Sequence, residues 1–212
     1  MTKRVRRYAV KEMFHTVQGE GYHAGTAAVF IRLTGCNLWT GREEDRPKAI
    51  CDFCDTDFIG TDGENGGRYT AHELAEKARS IAGGTVLCVV TGGEPLLQLD
   101  ALMVEELQCR GFEVAVETNG TIELPPSRHG IDWVCCSPKD PEHIKLTRAD
   151  ELKVVVPSKV DPLLVVDDVE ADHYFVQPKD GDPTGVETAV DFVKSFPLWR
   201  ISTQCHKIWG IE

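Results

Sequence analysis

The chain has 212 residues, 42 % of them hydrophobic, enough to close a core without staples, and its variety excludes repeat arrays and disordered tails. Asp and Glu outnumber Lys and Arg by 34 to 23, and the formal charge of −11 repels phosphate backbones, which disfavours a nucleic-acid binder. The basic start (Lys3, Arg4, Arg6, Arg7) meets Lys11 and Glu12 instead of an apolar stretch, and no apolar run approaches the roughly 20 residues of a bilayer span. The expectation is a cytoplasmic protein with a solvated basic terminus, no membrane contact and reduced thiols.

Short β-rich runs alternate with helical patterns, predicting one domain over residues 1–212 built from βα units. Strands are predicted at 29–33, 86–90, 114–116, 133–136, 152–156, 174–176 and 199–202, with apolar content that suggests burial on both faces. Between the first two, Thr70 and Glu73 have capping-box spacing before the stripe Leu74, Ala78 and Ile81, which ends at Gly83 and Gly84. A second helix follows Asp100, with Leu102, Met103 and Leu107 facing inward and Gly111 stopping it. Thr184 and Glu187 repeat the box before Val186, Ala189, Val190 and Val193, and Pro197 closes that helix.

Residues 37–50 read as a charged loop, and Gly63, Gly66 and Gly67 mark 60–67 as a mobile one. The poorly helical stretch 158–172 reads as a shortened crossover. Seven strands fall short of a complete eight-unit barrel, so the predicted fold is α/β, an open partial TIM-like barrel of parallel strands with outer helices. Its strands run into polar clusters at Thr34 to Cys36, Thr91 to Pro95, Glu117 to Gly120, Ser137 to Lys139, Gln177 to Asp180 and Gln204 to His206, which such a barrel collects on one rim.

Of eight cysteines, Cys36, Cys51 and Cys54 form C-x14-C-x2-C just after the first predicted strand. Thiolates with two residues between them wrap one metal centre, and three can hold either zinc with a fourth ligand or an iron–sulfur cluster with one iron left open. His15 and His23 lie upstream at no familiar ligand spacing, so the cysteines alone leave both readings standing. Cys88, Cys109, Cys135, Cys136 and Cys205 fall in strand or helix patterns and read as small packed hydrophobes.

The triad, followed by Gly92, Gly93, Glu94 and Pro95 at the next strand end, resembles the radical S-adenosylmethionine superfamily. Thr16 to Gly21, the long segment after Cys36, the stretch from Cys51 to Asp57, and the clusters at Glu117, Ser137 and Gln177 resemble the 7-carboxy-7-deazaguanine synthases with an expanded cluster loop. That resemblance implies a carbon–nitrogen lyase that contracts the ring of 6-carboxy-5,6,7,8-tetrahydropterin with loss of ammonia, in 7-deazapurine and queuosine biosynthesis. It also implies a homodimer and an electron donor such as flavodoxin.

By the same resemblance Cys36, Cys51 and Cys54 hold a 4Fe-4S cluster. S-adenosylmethionine falls to Gly93, Ser137, Pro138, Lys139, Gln177, Pro178, Lys179 and Asp180. Val17, Gln18, Gly19, Glu20, Arg32, Thr91 and His206 match substrate positions, Glu212 stands at the family's substrate-side terminal carboxylate with a different ending from the commoner one, and Thr56 matches a Mg2+ ligand. Plainer roles stay open: Thr56 can cap the turn between Asp55 and Asp57, Arg32 can pair with an acid, and His206 can simply pack. Another radical enzyme, such as a glycyl-radical activase, shares the triad and the Gly-Gly-Glu-Pro stretch. A zinc or electron-transfer module shares only the cysteines.

Overall fold

The computed structural model describes residues 5–211, so Lys3, Arg4 and Glu212 lie outside the described residues. These residues fold into two compact units, one of residues up to 16, 27–117 and 125–132, the other of 17–26, 118–124 and from 133 onward.

The first unit carries β1 (Tyr8–Val17), β2 (Ala27–Leu33), β3 (Gly67–Tyr69), α1 (Ala71–Ile81), β4 (Leu87–Gly92), α2 (Ala101–Gln108) and β5 (Glu113–Thr118). Its strand order is β3-β1-β2-β4-β5, with β2, β4 and β5 parallel and β3 antiparallel to β1. The apolar, β-branched run of β4 is buried from Leu87 through Thr91, as expected of a strand covered on both faces. The predicted capping box of α1 forms: the Glu73 amide donates to Thr70 Oγ1 at 3.2 Å and the Thr70 amide to Glu73 Oε2 at 2.8 Å. Asp100 caps α2 through the Met103 amide, but Val104 turns inward and Leu102 outward, reversing the expected face for Leu102.

Two strands of this unit escape the sequence patterns. β1 has Lys11 and Glu12 amid Tyr8, Val10, Met13 and Phe14, and those charges mask it because both are paired inside the unit. The stretch 60–67, expected to be mobile, is instead pinned to β1. Its Gly63 amide donates to the Lys11 carbonyl at 3.0 Å, and the Met13 amide donates to the Glu64 carbonyl at 2.7 Å. A Cβ at Gly63 would stand 2.7 Å from the Lys11 carbonyl oxygen, so glycine here serves close packing rather than motion. Of the expected solvated basic start, Arg6 and Arg7 are exposed as expected and make surface pairs with Asp100 and Glu73.

The second unit contains β6 (Trp133–Cys136), β7 (Arg148–Val156), α3 (Pro162–Val165), β8 (Glu170–Pro178), α4 (Gly185–Ser195), β9 (Trp199–Ile201) and α5 (Cys205–Trp209). The order β6-β7-β8-β9 is parallel throughout. Val134, Leu152, Val154, Phe175, Val176 and Ala189 are buried in it. One-turn α3 is the shortened crossover expected between β7 and β8. The expected box at the start of α4 does not form: Thr184 is already helical, and its amide and hydroxyl both donate to Asp182 Oδ1. Val186, expected inward, is exposed. Among the other cysteines, Cys88, Cys135 and Cys136 are buried as expected, whereas Cys109 is exposed and Cys205 half-buried.

Candidate active site

In the first unit the end of β2 and the end of β4 meet at Cys36. Gly35 accepts the Glu94 amide at 2.9 Å. A Cβ on Gly93 would strike the Gly35 carbonyl and come within 2.7 Å of Cys36 Cβ. The glycine expected to admit a cofactor therefore first admits the cysteine. Cys36 Sγ accepts the Leu38 amide at 3.4 Å, and burial, opposed by the Leu38 and Trp39 amides, raises its thiol pKa, with Glu94 and Cys54 adding to the rise.

Cys51 is buried and its amide donates to the Leu38 carbonyl at 3.4 Å, while Cys54 Sγ lies 4.0 Å from the Thr56 carbonyl. Among the described residues no three His, Cys, Asp or Glu side chains form a single-ion site. The triad fits an iron–sulfur cluster in donor chemistry: three thiols share one loop neighbourhood, Cys36 feels Cys54, and an amide already points at one sulfur. Lys11, nearly buried, ties the following segment to β1 through Asp57 at 2.8 Å and Asp62 at 2.9 Å. Asp57 also accepts the Ile59 amide at 3.0 Å, so the turn beside Thr56 is capped by Asp57.

Arg32 and Thr91 are cross-strand partners on β2 and β4, so the structure brings these two expected substrate residues to one face. Arg32 Nε donates to Glu12 Oε1 at 2.7 Å, which fixes the guanidinium. Glu12 was missed because β1 itself was.

The second unit gathers Val17, Gln18, Gly19, Glu20 and His206. A Cβ on Gly19 would lie 2.7 Å from the His206 amide nitrogen, and Gly19 accepts the Cys205 amide at 2.9 Å. Gln18 is buried and its Oε1 accepts the Glu20 amide at 3.1 Å. Glu20 sits between two donors that sequence spacing does not disclose: Lys153 Nζ at 2.6 Å and Gln204 Nε2 at 2.9 Å. Burial works to raise its pKa, but the Lys153 charge and hydrogen bond prevail, helped by Gln204 and His206, and hold it at about 2.

The expected S-adenosylmethionine residues of this unit fall on parallel strand ends. Ser137 and Pro138 follow β6, and Lys139 Nζ donates to Ser137 Oγ at 2.6 Å. Gln177 and Pro178 close β8; Gln177 Oε1 accepts the Ser202 hydroxyl at 2.8 Å, and that hydroxyl accepts the Gly21 amide at 2.9 Å. The Lys179 amide donates to the Val156 carbonyl at 2.8 Å. Asp180 is held by Lys207 at 2.6 Å, whose bond and charge lower its pKa. Glu151 is a further residue missed: buried on β7, it accepts the Tyr22 amide at 3.0 Å.

Residues 47–144 match the Radical SAM superfamily. The chain is similar to 7-carboxy-7-deazaguanine synthase of Bradyrhizobium diazoefficiens, 48 % identical with 97 % of this chain and 99 % of the relative covered. It is also similar to that of Caulobacter vibrioides, 49 % identical with 96 % and 99 % covered. Among solved structures it resembles QueE from Escherichia coli, with a TM-score of 0.70, 24 % identity, and 94 % of this chain and 95 % of that one covered. The α/β architecture of parallel strands and helices is shared with that structure.

Proposed function

On the premise that the chain belongs to the 7-carboxy-7-deazaguanine synthase family of radical S-adenosylmethionine enzymes, we propose that it contracts 6-carboxy-5,6,7,8-tetrahydropterin to 7-carboxy-7-deazaguanine with loss of ammonia. It thereby acts as a lyase in queuosine and related 7-deazapurine biosynthesis. The reading is carried by the seat of Cys36, where Gly93 and Gly35 let the ends of β2 and β4 close against one cysteine of the triad.

Cys36, Cys51 and Cys54 hold a 4Fe-4S cluster that, with S-adenosylmethionine, supplies reductive hydrogen-abstraction chemistry when bound. Gly93, Ser137, Pro138, Lys139, Gln177, Pro178, Lys179 and Asp180 hold S-adenosylmethionine. With its side-chain oxygen engaged by Ser202, Gln177 works chiefly through its remaining polar atoms. Thr56 would contribute a hydroxyl oxygen to Mg2+, whose preference for oxygen donors that side chain suits.

Arg32 binds the pterin carboxylate. Its Nε is committed to Glu12, so this task falls to its two Nη groups. Glu20, held ionised by Lys153, accepts hydrogen bonds from the donor edge of the ring. Val17, Gln18, Gly19, Thr91 and His206 are assigned to substrate binding by the same family resemblance. The enzyme works as a cytoplasmic homodimer supplied with electrons by a donor such as flavodoxin. Among the described residues no helix is long and apolar enough to cross a membrane.

The test is product mass spectrometry after anaerobic reconstitution with pterin, S-adenosylmethionine and a reductant. The parent yields 7-carboxy-7-deazaguanine, Cys54→Ala yields no cofactor cleavage, and Arg32→Ala keeps its iron but loses turnover. Normal turnover by Arg32→Ala refutes the carboxylate assignment, and absence of product from the iron-loaded parent refutes the reaction.

A further inference from the structure

The fourteen residues between Cys36 and Cys51 return a charge to the second and third cysteines. Within them Glu43–Lys48 makes a short 3-10 turn, and from it Arg46 reaches the C-x2-C pair. Arg46 Nη1 donates to the carbonyls of Asp52 at 2.9 Å and Cys54 at 3.1 Å. Its Nε and Nη2 grip Glu43 at 2.7 and 2.6 Å. Four of the five guanidinium N–H groups are thus directed. The guanidinium carbon also stands 4.1 Å from the centroid of the Trp39 ring. Trp39 is itself buried, edge-on to Phe58 and bonded to the Arg42 carbonyl.

A bidentate acid and an aromatic face fix this guanidinium from behind, and its front spans two carbonyls of the segment that carries Cys51 and Cys54. Holding those carbonyls removes backbone freedom that cluster capture would otherwise have to remove. A fixed positive charge beside the ligands favours the more negative, reduced form of a bound cluster. Lysine keeps the charge but, as a compact ammonium, cannot reproduce the planar fork.

Given cluster ligation by Cys36, Cys51 and Cys54, we propose that Arg46 is a positioning residue for the cluster: it sets the Cys51–Cys54 turn in its ligating form and maintains a positive charge against it. The insertion that lengthens the cysteine spacing is thereby the element that braces it.

Arg46→Gln and Arg46→Lys are reconstituted anaerobically in the full chain. Two properties are measured without pterin: the rate of iron loss to a ferrous chelator and the midpoint potential of the cluster. Arg46→Gln is expected to lose iron about tenfold faster or more, with a potential shifted negative. Arg46→Lys is expected to lose iron faster while keeping a potential near the parent's, a separation that a purely structural role does not produce. Iron loss within about twofold of the parent and an unmoved potential in Arg46→Gln overturn the proposal.

If Arg46→Gln retains no iron, Glu43→Gln decides, because it keeps the guanidinium and loosens its anchor. Several-fold faster iron loss supports the brace, and a parental rate overturns it. Neither measurement uses pterin, so a parent that binds its cluster but leaves pterin unchanged sinks the functional reading and not this one.

Discussion

The cysteine loop of the first unit and the Glu20 neighbourhood of the second are secured by opposite means. At Cys36 itself the main chain does most of the holding, with Gly35 and Gly93 interlocked, and further along the loop Arg46 takes hold of main-chain carbonyls. Around Glu20 the side chains do it, with a partly buried carboxylate clamped by Lys153 and Gln204, and Gln177 and Ser202 joined beside them. On the proposed function, the first region would receive a cofactor that brings its own reactivity and needs a surface shaped for close approach. A polar ring needs charges whose ionisation is fixed in advance.

The contrast breaks most severely at Lys153. Replacing it by Met strands a partly buried carboxylate and is expected to cost about 3 kcal/mol, read by denaturant unfolding. The acid limb gives the sign. The parent gains stability from Glu20 above the ordinary carboxylate pKa of about 4.3 and loses it as pH falls through about 2. Without the ammonium, burial pushes the Glu20 pKa up, and Lys153→Met is expected to lack that decline; an unchanged acid limb contradicts the clamp.

At the other region Gly93→Ala adds one methyl group against Gly35 and Cys36. It is expected to cost about 1–3 kcal/mol by overpacking and to lower iron content, measured by melting and iron assay. The smallest effect separates two caps that look alike in sequence. Thr70→Ala is expected to cost about 1 kcal/mol, and Thr184→Ala, which removes no cap bond, less than about 0.5 kcal/mol.

What the sequence discloses follows from how local each device is. The box at Thr70, the stop at Gly111 and the triad with its Gly-Gly-Glu-Pro partner are each set by near neighbours or by a strand end, and all were legible. β1 was not, because Lys11 and Glu12 look solvent-facing until Asp57, Asp62 and Arg32 are folded against them. Lys153 and Gln204 lie 133 and 184 residues from Glu20, and no spacing rule connects them. Thr184 shows the reverse error: the box spacing is present, but the chain is already helical there and Asp182 takes the hydroxyl.

Lys11 gives the first strand a hold on the segment that follows Cys54, through Asp57 and Asp62. If Cys54 ligates the cluster as proposed, an allele at this lysine would score in a genetic screen with the cofactor-deficient class although every sulfur is intact. Complementation groups drawn from such phenotypes would therefore map the reach of an ammonium rather than the ligands themselves.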